Sequence, residues 1–495
     1  MIVERRRRSG TATGSPCRRC MVLTAIQAST VIALTVFAVL ALSACGGGET
    51  YDVVLHGGRV LDPETGMDAV RNVGIRDGVI AAVSEDDLLG TESVDVSGLV
   101  VAPGFVDLHE HGQSEEAYAL MVRDGVTSAF ELEVGTGDVN GFYSAREGGQ
   151  IVNYGVAIGH ISTRMAVLGD PGDFLPAGIG GSGTASPEQL DEIEARLRVG
   201  LDEGAVAMGF GSAYTPGAEM AEIERMMGVA AEYGVSAHIH MRGGVPGLDS
   251  TLAAARDAGA PLHVVHVNSS AGDDIREFLE MIQAARDAGQ DVTTEAYPYG
   301  AGMTRIESAL FDDWESWSDE RLAEHQWVAT GERLTRETFG RYRAQGGGVI
   351  IHGRSEEQTR AAITSPLAMV ASDGFIENGT GHPRTSGSYS KVLGQYVRDE
   401  GAISLMEAIR KMTIEPARRL EARVPSMAGK GRIQVGADAD ITVFDPETVQ
   451  DRSTYMDATI PAEGIPFVLV NGRFVVADGE VTAARPGRAI RAAVR

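Results

Sequence analysis

Cysteine is nearly absent from this 495-residue chain, which has three cysteines, Cys17, Cys20 and Cys45. All three precede residue 46, so no disulfide framework can stabilise the body of the protein. A metal site in the body must therefore be built from histidine, aspartate and glutamate.

Basic residues are also scarce, because 43 lysines and arginines face 69 aspartates and glutamates, for a formal net charge of −26. This balance excludes nucleic acid as an expected partner. The chain also lacks a Gly-x-Ser-x-Gly elbow and a phosphate-binding Walker loop, which argues against a serine hydrolase of that type and against an ATPase.

The first 45 residues have the pattern of a targeting segment. Six arginines precede an uncharged run from Met21 to Ala44, which ends in Leu42-Ser43-Ala44-Cys45 and three glycines. The pattern resembles a bacterial lipoprotein signal, in which residues 1–44 are removed and Cys45 is lipidated. The mature chain would then be exported and anchored to the cell membrane outside the cytoplasm. An uncleaved membrane helix with its arginines inside is the alternative.

Short β-type runs separated by glycine and aspartate turns occupy both ends of the body. They extend from Tyr51 to Val101 and return after Gly431, in Ile441–Phe444, Phe467–Val470 and Phe474–Ala477. The similarity of the two ends predicts one small β-sandwich domain, built from residues 45–102 and 421–495. Residues 103–420 then form an inserted domain.

The inserted segment alternates strand and helix patterns. A capping box at Ser186-Pro-Glu-Gln189 precedes one helical pattern, and Ala271-Gly-Asp-Asp274 leads into another. Eight parallel strands with crossover helices predict an α/β fold, a (β/α)8 TIM barrel whose active site lies at the carboxyl ends of the strands. Val349–His352 is a possible ninth strand, interpreted as part of a long excursion between Gly302 and Pro366. The predicted strands are Phe105–His111, Ser128–Val134, Gly155–His160, Ala205–Gly211, Ser236–Arg242, Leu262–Val267, Asp291–Tyr297 and Ala368–Gly374.

Potential metal ligands gather at the ends of these strands. His109 and His111 share one face of the first strand, because successive side chains of a strand alternate in direction. Four of the eight strands hold seven of the eleven histidines of the chain. A purely structural barrel gives no reason for this clustering, so the pattern predicts a divalent metal site. The polar strand ends are His109-Glu-His111, Glu131-Leu-Glu133, His160, His238-Ile-His240, His263-Val-Val-His266 and Ser372-Asp373-Gly374.

These residues carry a resemblance to the amidohydrolase superfamily, and within it to the D-aminoacylase (N-acyl-D-amino-acid deacylase) family. The resemblance covers residue 51 to the end and implies a β-sandwich, a barrel and one or two zinc ions. By position it implies that His109, His111, His240 and His266 are metal ligands, with Asp373 as both ligand and proton carrier. The matching phrases include Pro103-Gly-Phe-Val-Asp-Leu-His109-Glu-His111, Gly159-His160-Ile-Ser-Thr-Arg164, Tyr214-Thr-Pro-Gly217, His240-Met-Arg242, Tyr297-Pro-Tyr299, Ser372-Asp373-Gly374, His382-Pro-Arg384 and Gly436-Ala-Asp-Ala-Asp440.

The chain departs from this family at two places. Many relatives bridge two metals with a carbamylated lysine on strand four or a cysteine on strand two, and this chain has neither. A carboxylate must then take that place, and Glu133 is preferred because Glu131 lies deeper, where it could hydrogen-bond a ligand histidine. The second departure is Asn268, where the family often has a lysine that holds the substrate carboxylate.

The remaining roles concern the substrate, a small molecule with a free carboxylate. Arg384 could clamp that carboxylate bidentately, and His160 or Tyr299 could help to polarise the scissile carbonyl. His160 and Arg242 could equally be buried hydrogen-bonding residues. His238 and His263 could lie inside the barrel.

Three functions compete at this point. The first is zinc-dependent deacylation of N-acyl-D-amino acids. The second is another amidohydrolase reaction, on a dipeptide, a lactone or a cyclic imide. The third is a non-catalytic surface lipoprotein that keeps the enzyme fold, which predicts an incomplete set of metal ligands.

Overall fold

The structure is a computed structural model that describes residues 50–494. The predicted signal at residues 1–44, together with Cys17, Cys20 and Cys45, lies outside the described residues. Within residues 50–494, no helix is long and apolar enough to cross a membrane.

A nearly closed barrel of eight parallel strands forms the centre of the fold, as predicted. Neighbouring strands pair in chain order. Strands 1 and 8 are joined at their carboxyl ends by a backbone bridge between Glu110 and Gly374. Barrel strands 1 to 8 are Phe105–Asp107, Val126–Thr136, Asn153–Gly159, Met208–Gly211, Ala237–His240, Leu262–Val264, Val292–Ala296 and Ala368–Val370.

Helices cover the outside of the barrel. The helix Pro187–Asp202 begins with the predicted capping box, since Ser186 Oγ accepts the N–H of Gln189 and the Gln189 side chain accepts the N–H of Ser186. The apolar faces of the helices pack on the strands in one large core. The other helices along the barrel are Glu115–Arg123, Val139–Ser144, His160–Leu168, Ile179–Ser182, Met220–Tyr233, Gly244–Ala258, Val267–Ser270, Ile275–Asp287, Glu356–Thr364, Arg384–Lys391, Val392–Asp399 (a π-helix), Leu405–Met412 and Ile414–Glu421.

Both ends of the described chain pair in a separate sheet, as predicted. Val100–Pro103 pairs in parallel with Thr50–Asp62 and antiparallel with Ile441–Phe444. Apolar residues from both ends share one buried cluster, which includes Leu55 and Leu469. The other strands of this sheet are Met67–Arg76, Val79–Ser84, Leu89–Asp95, Phe467–Val470, Arg473–Ala477 and Glu480–Val481.

A buried polar contact ties this sheet to the start of the barrel. Gly104, the single residue between Pro103 and barrel strand 1, donates its N–H to the carbonyl of Asp440 at 2.8 Å. The Asp440 carboxylate accepts bonds from Lys430 at 2.6 Å and from Asn153 at 2.9 Å. The last described residues then pack on the barrel, where Ile490 donates its N–H to Tyr154 O at 2.7 Å. The polypeptide entering strand 1 is therefore hydrogen-bonded to the terminal sheet at Gly104, and the last described residues are bonded to strand 3.

The excursion between strands 7 and 8 folds as a unit with its own core. Gly302–Arg305, His325–Trp327 and Gly348–Ile351 form an antiparallel sheet separate from the barrel. The candidate ninth strand at Val349–His352 thus belongs to the excursion, as interpreted from the sequence. Its helices are Asp319–Ala323 and Arg336–Gln345, and aromatic side chains such as Phe311 and Phe339 fill its core.

Candidate metal centre and active site

His109 and His111 follow barrel strand 1 and direct their Nε2 atoms toward each other, 3.2 Å apart. Behind each ring, Nδ1 faces a carboxylate: Glu295 lies 2.5 Å from His109, and Glu131 lies 2.6 Å from His111. An imidazole that donates its Nδ1 proton to a carboxylate presents a lone pair at Nε2. Two lone pairs that converge on one point repel each other, and a cation bound between them stabilises this arrangement.

Glu133 and Asp373 complete a first group of four donors with this histidine pair. Glu133 Oε2 lies 2.5 Å from His109 Nε2. Asp373 Oδ1 lies 3.4 Å from His109 Nε2 and 3.3 Å from His111 Nε2. The four donor atoms lie within 4.8 Å of one another, and all four residues are buried.

His240 and His266 form a second group with the same Glu133. His240 Nδ1 lies 2.9 Å from Glu133 Oε1 and 3.0 Å from His266 Nε2. Glu133 Oε2 is 3.6 Å from His266 Nε2. The two oxygens of one carboxylate thus face both groups, which is the arrangement of a carboxylate shared by two cation positions.

Three separations between donor atoms fit zinc. With zinc–nitrogen distances of about 2.0–2.1 Å, two ligands of a tetrahedral ion lie about 3.3 Å apart. The two histidines of the first group are 3.2 Å apart, and Asp373 is 3.3 Å from His111. The two histidines of the second group are 3.0 Å apart. These predicted ligands are therefore brought together at distances that suit this metal, while Glu133 Oε2 and His109 Nε2, at 2.5 Å, lie closer together than two ligands of one zinc ion do.

Glu295 belongs to a buried chain of polar groups that supports His109. Its second oxygen lies 3.0 Å from His263 Nε2, and His263 Nδ1 lies 2.7 Å from Thr293 Oγ1. Burial alone would raise the pKa of Glu295, but the neighbouring His109 and His263 lower it well below its ordinary value. The carboxylate is thus held ionised behind the ligand ring.

Glu131 supports His111 in the same way. Its Oε2 accepts from His111, and its Oε1 accepts the backbone N–H groups of Val134 at 3.0 Å and Gly135 at 3.2 Å. Glu131 and Glu133 sit two residues apart on barrel strand 2, so the deeper carboxylate reaches the back of the ring and the outer one reaches the donor groups.

Asp373 sits on a strained turn after barrel strand 8. Its φ of 52° lies in the left-handed region, which is costly for a residue with a side chain. The turn is fixed on both sides: Gly374 N donates to Ser372 Oγ at 2.9 Å, and His111 N donates to Gly374 O at 2.8 Å. The buried Glu110 carboxyl accepts from Ser372 Oγ at 3.1 Å. These contacts aim Asp373 at the histidine pair.

Arg384 lies beside Asp373, at the start of the helix Arg384–Lys391. Its Nη1 is 2.8 Å from Asp373 Oδ2, and its Nη2 donates to Met303 O at 3.3 Å. Burial alone would raise the pKa of Asp373, but the charges of Arg384 and His109 lower it well below its ordinary value. Arg384 is 1% exposed, yet its Nε and Nη1 have no hydrogen-bond partner of good geometry within residues 50–494.

A cavity of about 450 Å³ opens above these groups. Its wall includes members of both donor groups, such as His111 and His240, together with Arg384 and parts of the excursion such as Met303 and Thr304. Tyr297 also lines it, with a buried hydroxyl that has no hydrogen-bond partner in the described part of the chain. The Arg384 guanidinium lies 4.7 Å from the centre of the Tyr297 ring. Uncommitted polar groups therefore surround a space large enough for a small-molecule substrate.

A sequence profile of the amidohydrolase family matches residues 165–476, more than half of the chain. The chain belongs to this amidohydrolase family.

Relatives within the amidohydrolases align over nearly the whole body. The N-acyl-D-glutamate deacylase of Alcaligenes xylosoxydans xylosoxydans is 30% identical, over 90% of this chain and 97% of its own length. The crystal structure of N-acyl-D-glutamate deacylase from Bordetella bronchiseptica, complexed with zinc and a phosphonate inhibitor that mimics the tetrahedral intermediate, superposes with a TM-score of 0.78. It is 28% identical and covers 90% of this chain and 100% of that one. A structure addressing the binuclear metal centre of D-aminoacylase gives a TM-score of 0.74 at 26% identity, covering 89% and 100%.

His160 of this amidohydrolase is not among the residues that line the cavity. It begins the helix His160–Leu168, is fully buried, and bonds through Nε2 to Glu222 at 2.9 Å, where Arg164 binds the same carboxylate. Gly159 comes directly before this helix and packs so closely against strand 2 that a Cβ there would lie 2.0 Å from Val134 O. His160 therefore has the alternative role considered from the sequence, that of a buried hydrogen-bonding residue.

Tyr299 also lies away from the donor groups. Its hydroxyl donates to Asp451 at 3.1 Å, and it lines a different cavity of about 320 Å³. Tyr297, two residues earlier, lines the cavity of the metal centre instead. Both tyrosines belong to one Tyr-Pro-Tyr phrase, and no feature of that phrase indicates which of them faces the centre.

The other polar residues named from the sequence are structural. His238 is fully buried and bonds to Ser236 Oγ at 2.9 Å, inside the barrel as suggested. Arg242 donates to the carbonyls of Ser212 and Thr215 at 3.2 Å each. Asn268, at the position where relatives often have lysine, is buried and donates to Tyr297 O at 3.0 Å.

Three residues at the site were not predicted from the sequence: Glu295, which contacts His109, and Tyr297 and Arg354, which line the cavity. Glu295 had a usable signal, since it is the one carboxylate within the predicted strand Asp291–Tyr297 after its first residue. Arg354 had none, because it reaches the cavity from the end of the excursion, far from any barrel strand in sequence.

Proposed function

We propose that this amidohydrolase hydrolyses the amide bond of N-acyl-D-amino acids and releases a carboxylate and a D-amino acid, with one or two zinc ions as cofactor. The observation that carries the proposal is the 2.8 Å contact between Arg384 and Asp373 at the metal-ligand group. In an N-acyl amino acid, one carbon atom separates the free carboxylate from the scissile amide. A guanidinium that holds the carboxylate thus places the amide beside the proton carrier.

The chemistry divides between the metal and the side chains. Zinc supplies Lewis acidity, which polarises a carbonyl and makes water a nucleophile near neutral pH. His109, His111, Glu133 and Asp373 would hold one ion, and Glu133, His240 and His266 the other. Asp373, kept ionised by its neighbours, accepts the proton of the attacking water and delivers it to the departing amine nitrogen.

The residues around the cavity hold the substrate in place. Arg384 binds the free carboxylate through Nε, which has no hydrogen-bond partner within residues 50–494, and through the edge of the guanidinium beside Asp373. The Tyr297 hydroxyl offers a further donor beside it. The D configuration is supported by the relatives, which are named as deacylases of N-acyl-D-amino acids.

The competing functions are less well supported. Lactones and cyclic imides without a free carboxylate leave Arg384 unused. The non-catalytic alternative predicted an incomplete ligand set, whereas each predicted ligand lies in one of the two donor groups.

The direct test is to purify the protein, measure its zinc content and screen matched N-acetyl-D- and N-acetyl-L-amino acids for release of the free amino acid. Zinc together with turnover of the D series supports the proposal. An active preparation without a transition metal, or turnover of the L series alone, contradicts it.

The location of the enzyme is a separate proposal that rests on sequence alone. We propose that residues 1–44 are removed, that Cys45 carries lipid, and that the barrel works outside the cytoplasm, attached to the cell membrane. Its support is the uncharged run that ends in Leu42-Ser43-Ala44-Cys45.

A further inference from the structure

Arg354 brings a third guanidinium to the wall of the cavity. It follows the excursion strand Gly348–Ile351 and is half-buried. Its Nη1 donates to Tyr299 O at 3.1 Å, and its Nη2 donates to Ser269 Oγ at 3.4 Å. Both partners are neutral, so these bonds orient the guanidinium and leave its charge uncompensated.

The other two arginines on this wall have carboxylate partners. Arg384 pairs with Asp373 at 2.8 Å. Arg305 pairs with Glu307 at 3.1 Å and with Glu377 at 3.3 Å. Among residues 50–494, no carboxylate oxygen lies within 4.0 Å of the Arg354 guanidinium. In a chain with a net charge of −26, a cation that faces a cavity without such a partner suggests that an anion binds there.

Two acidic residues of the cavity wall do not fill this role. Glu324 and Asp273 are exposed at the rim, and neither forms an ion pair with Arg354. Asp273 instead accepts a hydrogen bond from Gln358. An ion pair that either residue could form by moving would lie in water, where such pairs contribute little.

Arg354 and Arg384 are close enough to bind one small molecule. Both guanidiniums contact the Tyr297 ring, with their central carbons 5.2 and 4.7 Å from its centre, so the two carbons lie no more than about 10 Å apart. The two carboxylate carbons of an aspartate or glutamate derivative are roughly 4–5 Å apart, and a paired guanidinium adds roughly 4 Å at each end. The extended reach of roughly 12–13 Å exceeds the upper limit of about 10 Å, so one such molecule is long enough to pair with both guanidiniums.

We propose that Arg354 is a specificity-determining residue that binds the side-chain carboxylate of the substrate, so that the preferred substrates are N-acyl-D-amino acids with an acidic side chain. This inference rests on the proposed function, in which Arg384 binds the other carboxylate. N-acyl derivatives of D-glutamate and D-aspartate both carry a side-chain carboxylate. Their relative rates of hydrolysis show which side-chain length fits the cavity.

The experiment compares two nearly isosteric substrates, N-acetyl-D-glutamate and N-acetyl-D-glutamine, on the zinc-loaded full-length protein. The wild type should prefer the glutamate derivative. Arg354→Gln should lower kcat/KM for it by about 10- to 100-fold, as for a lost hydrogen bond between charged groups, and change the glutamine rate by less than about threefold. Arg354→Lys, which keeps the charge, should retain part of the preference.

The matched control is Arg341→Gln, an exposed arginine on the excursion helix Arg336–Gln345 that is 3.5 Å from Glu332. It should leave both rates and the preference unchanged. Equal losses on both substrates in Arg354→Gln, or a wild type that prefers the glutamine derivative, would overturn the inference while leaving deacylation standing. No turnover of either amide by the wild type, with zinc bound, would also overturn this inference, whereas the proposed function is overturned only if the whole N-acetyl-D-amino acid series is not hydrolysed.

Discussion

The carboxylate of Glu295 lies 2.5 Å from Nδ1 of His109, on the side of the ring opposite the other donor atoms. Its second oxygen is held by His263 at 3.0 Å. Glu295 thus fixes which nitrogen of His109 carries the proton and which is free to bind a metal.

Glu295→Gln should therefore weaken zinc binding by about 10- to 100-fold, because an amide supports the ligand ring less well than a carboxylate. Competition with a chelator of known affinity measures the effect. Glu222→Gln is the matched control, since Glu222 also bonds a buried histidine but does not contact the donor groups. Equal zinc affinity in wild type and Glu295→Gln would contradict the assignment.

Asp373→Asn should lower kcat by about 10²- to 10⁴-fold, because the amide cannot accept the water proton. Zinc content should change little, since the other donors of both groups remain. Steady-state kinetics and metal analysis on the same preparation separate the two effects. A variant with normal turnover would move the proton carrier to another residue.

Arg384→Ala should lower kcat/KM for an N-acetyl-D-amino acid by a factor that corresponds to a rise of about 2–4 kcal/mol in activation free energy. The methyl ester of the same substrate should lose less, because it has no carboxylate for the guanidinium to bind. Since Arg384 also pairs with Asp373, some loss is expected on both, and the acid-to-ester ratio is the informative quantity. An unchanged ratio would mean that Arg384 serves Asp373 alone.

Asp124 should make the stability of the enzyme depend on pH. Its carboxylate accepts the N–H groups of Tyr389 and Ser390, in the helix that begins at Arg384, and burial raises its pKa to about 7. The folded state therefore holds this proton more tightly than the unfolded chain, whose pKa is about 3.9. The stabilisation is complete below pH 4 and is lost as the pH rises through 7.

Asp124→Asn removes this titration. The Tm of the wild type relative to the variant should consequently fall between pH 5 and pH 8, in thermal unfolding at constant ionic strength. A difference that stays constant over that range would show that Asp124 is ionised in the folded protein throughout.

Cys45→Ser should abolish partitioning of the expressed protein into detergent, because lipid attachment requires the thiol. Phase separation of wild type and variant, expressed in a bacterial host that processes lipoproteins, measures this. Equal partitioning would favour the uncleaved membrane helix, since that anchor does not depend on a thiol.

The barrel could be predicted from the sequence because the patterns that indicate strands and helices depend on residues that are close together in the chain. Glu131 and Glu133 are two residues apart and share a face of strand 2, so the pattern predicts that they lie at different depths. The structure has the first behind His111 and the second between the donor groups. The pairing of the two chain ends followed from their shared β-type pattern in the same way.

The substrate side of the centre was less predictable, because it depends on how loops turn. Tyr297 and Tyr299 differ by two residues around a proline, yet they line different cavities. His160 begins the helix that follows strand 3, and its ring bonds to Glu222 instead of reaching the cavity. Arg354 reaches the centre through a folded excursion whose path no short-range pattern encodes.

The pairing of Val100–Pro103 with Ile441–Phe444 also means that one strand is synthesised long before its partner strand. The two strands are separated by about 340 residues, so the ribosome completes the whole barrel before the partner of the early strand exists. Until then, one edge of Val100–Pro103 has its backbone groups unpaired next to the polypeptide that leads to His109. A chain truncated before Ile441 would keep every proposed metal ligand and still lack the partner strand that anchors the entry to the barrel.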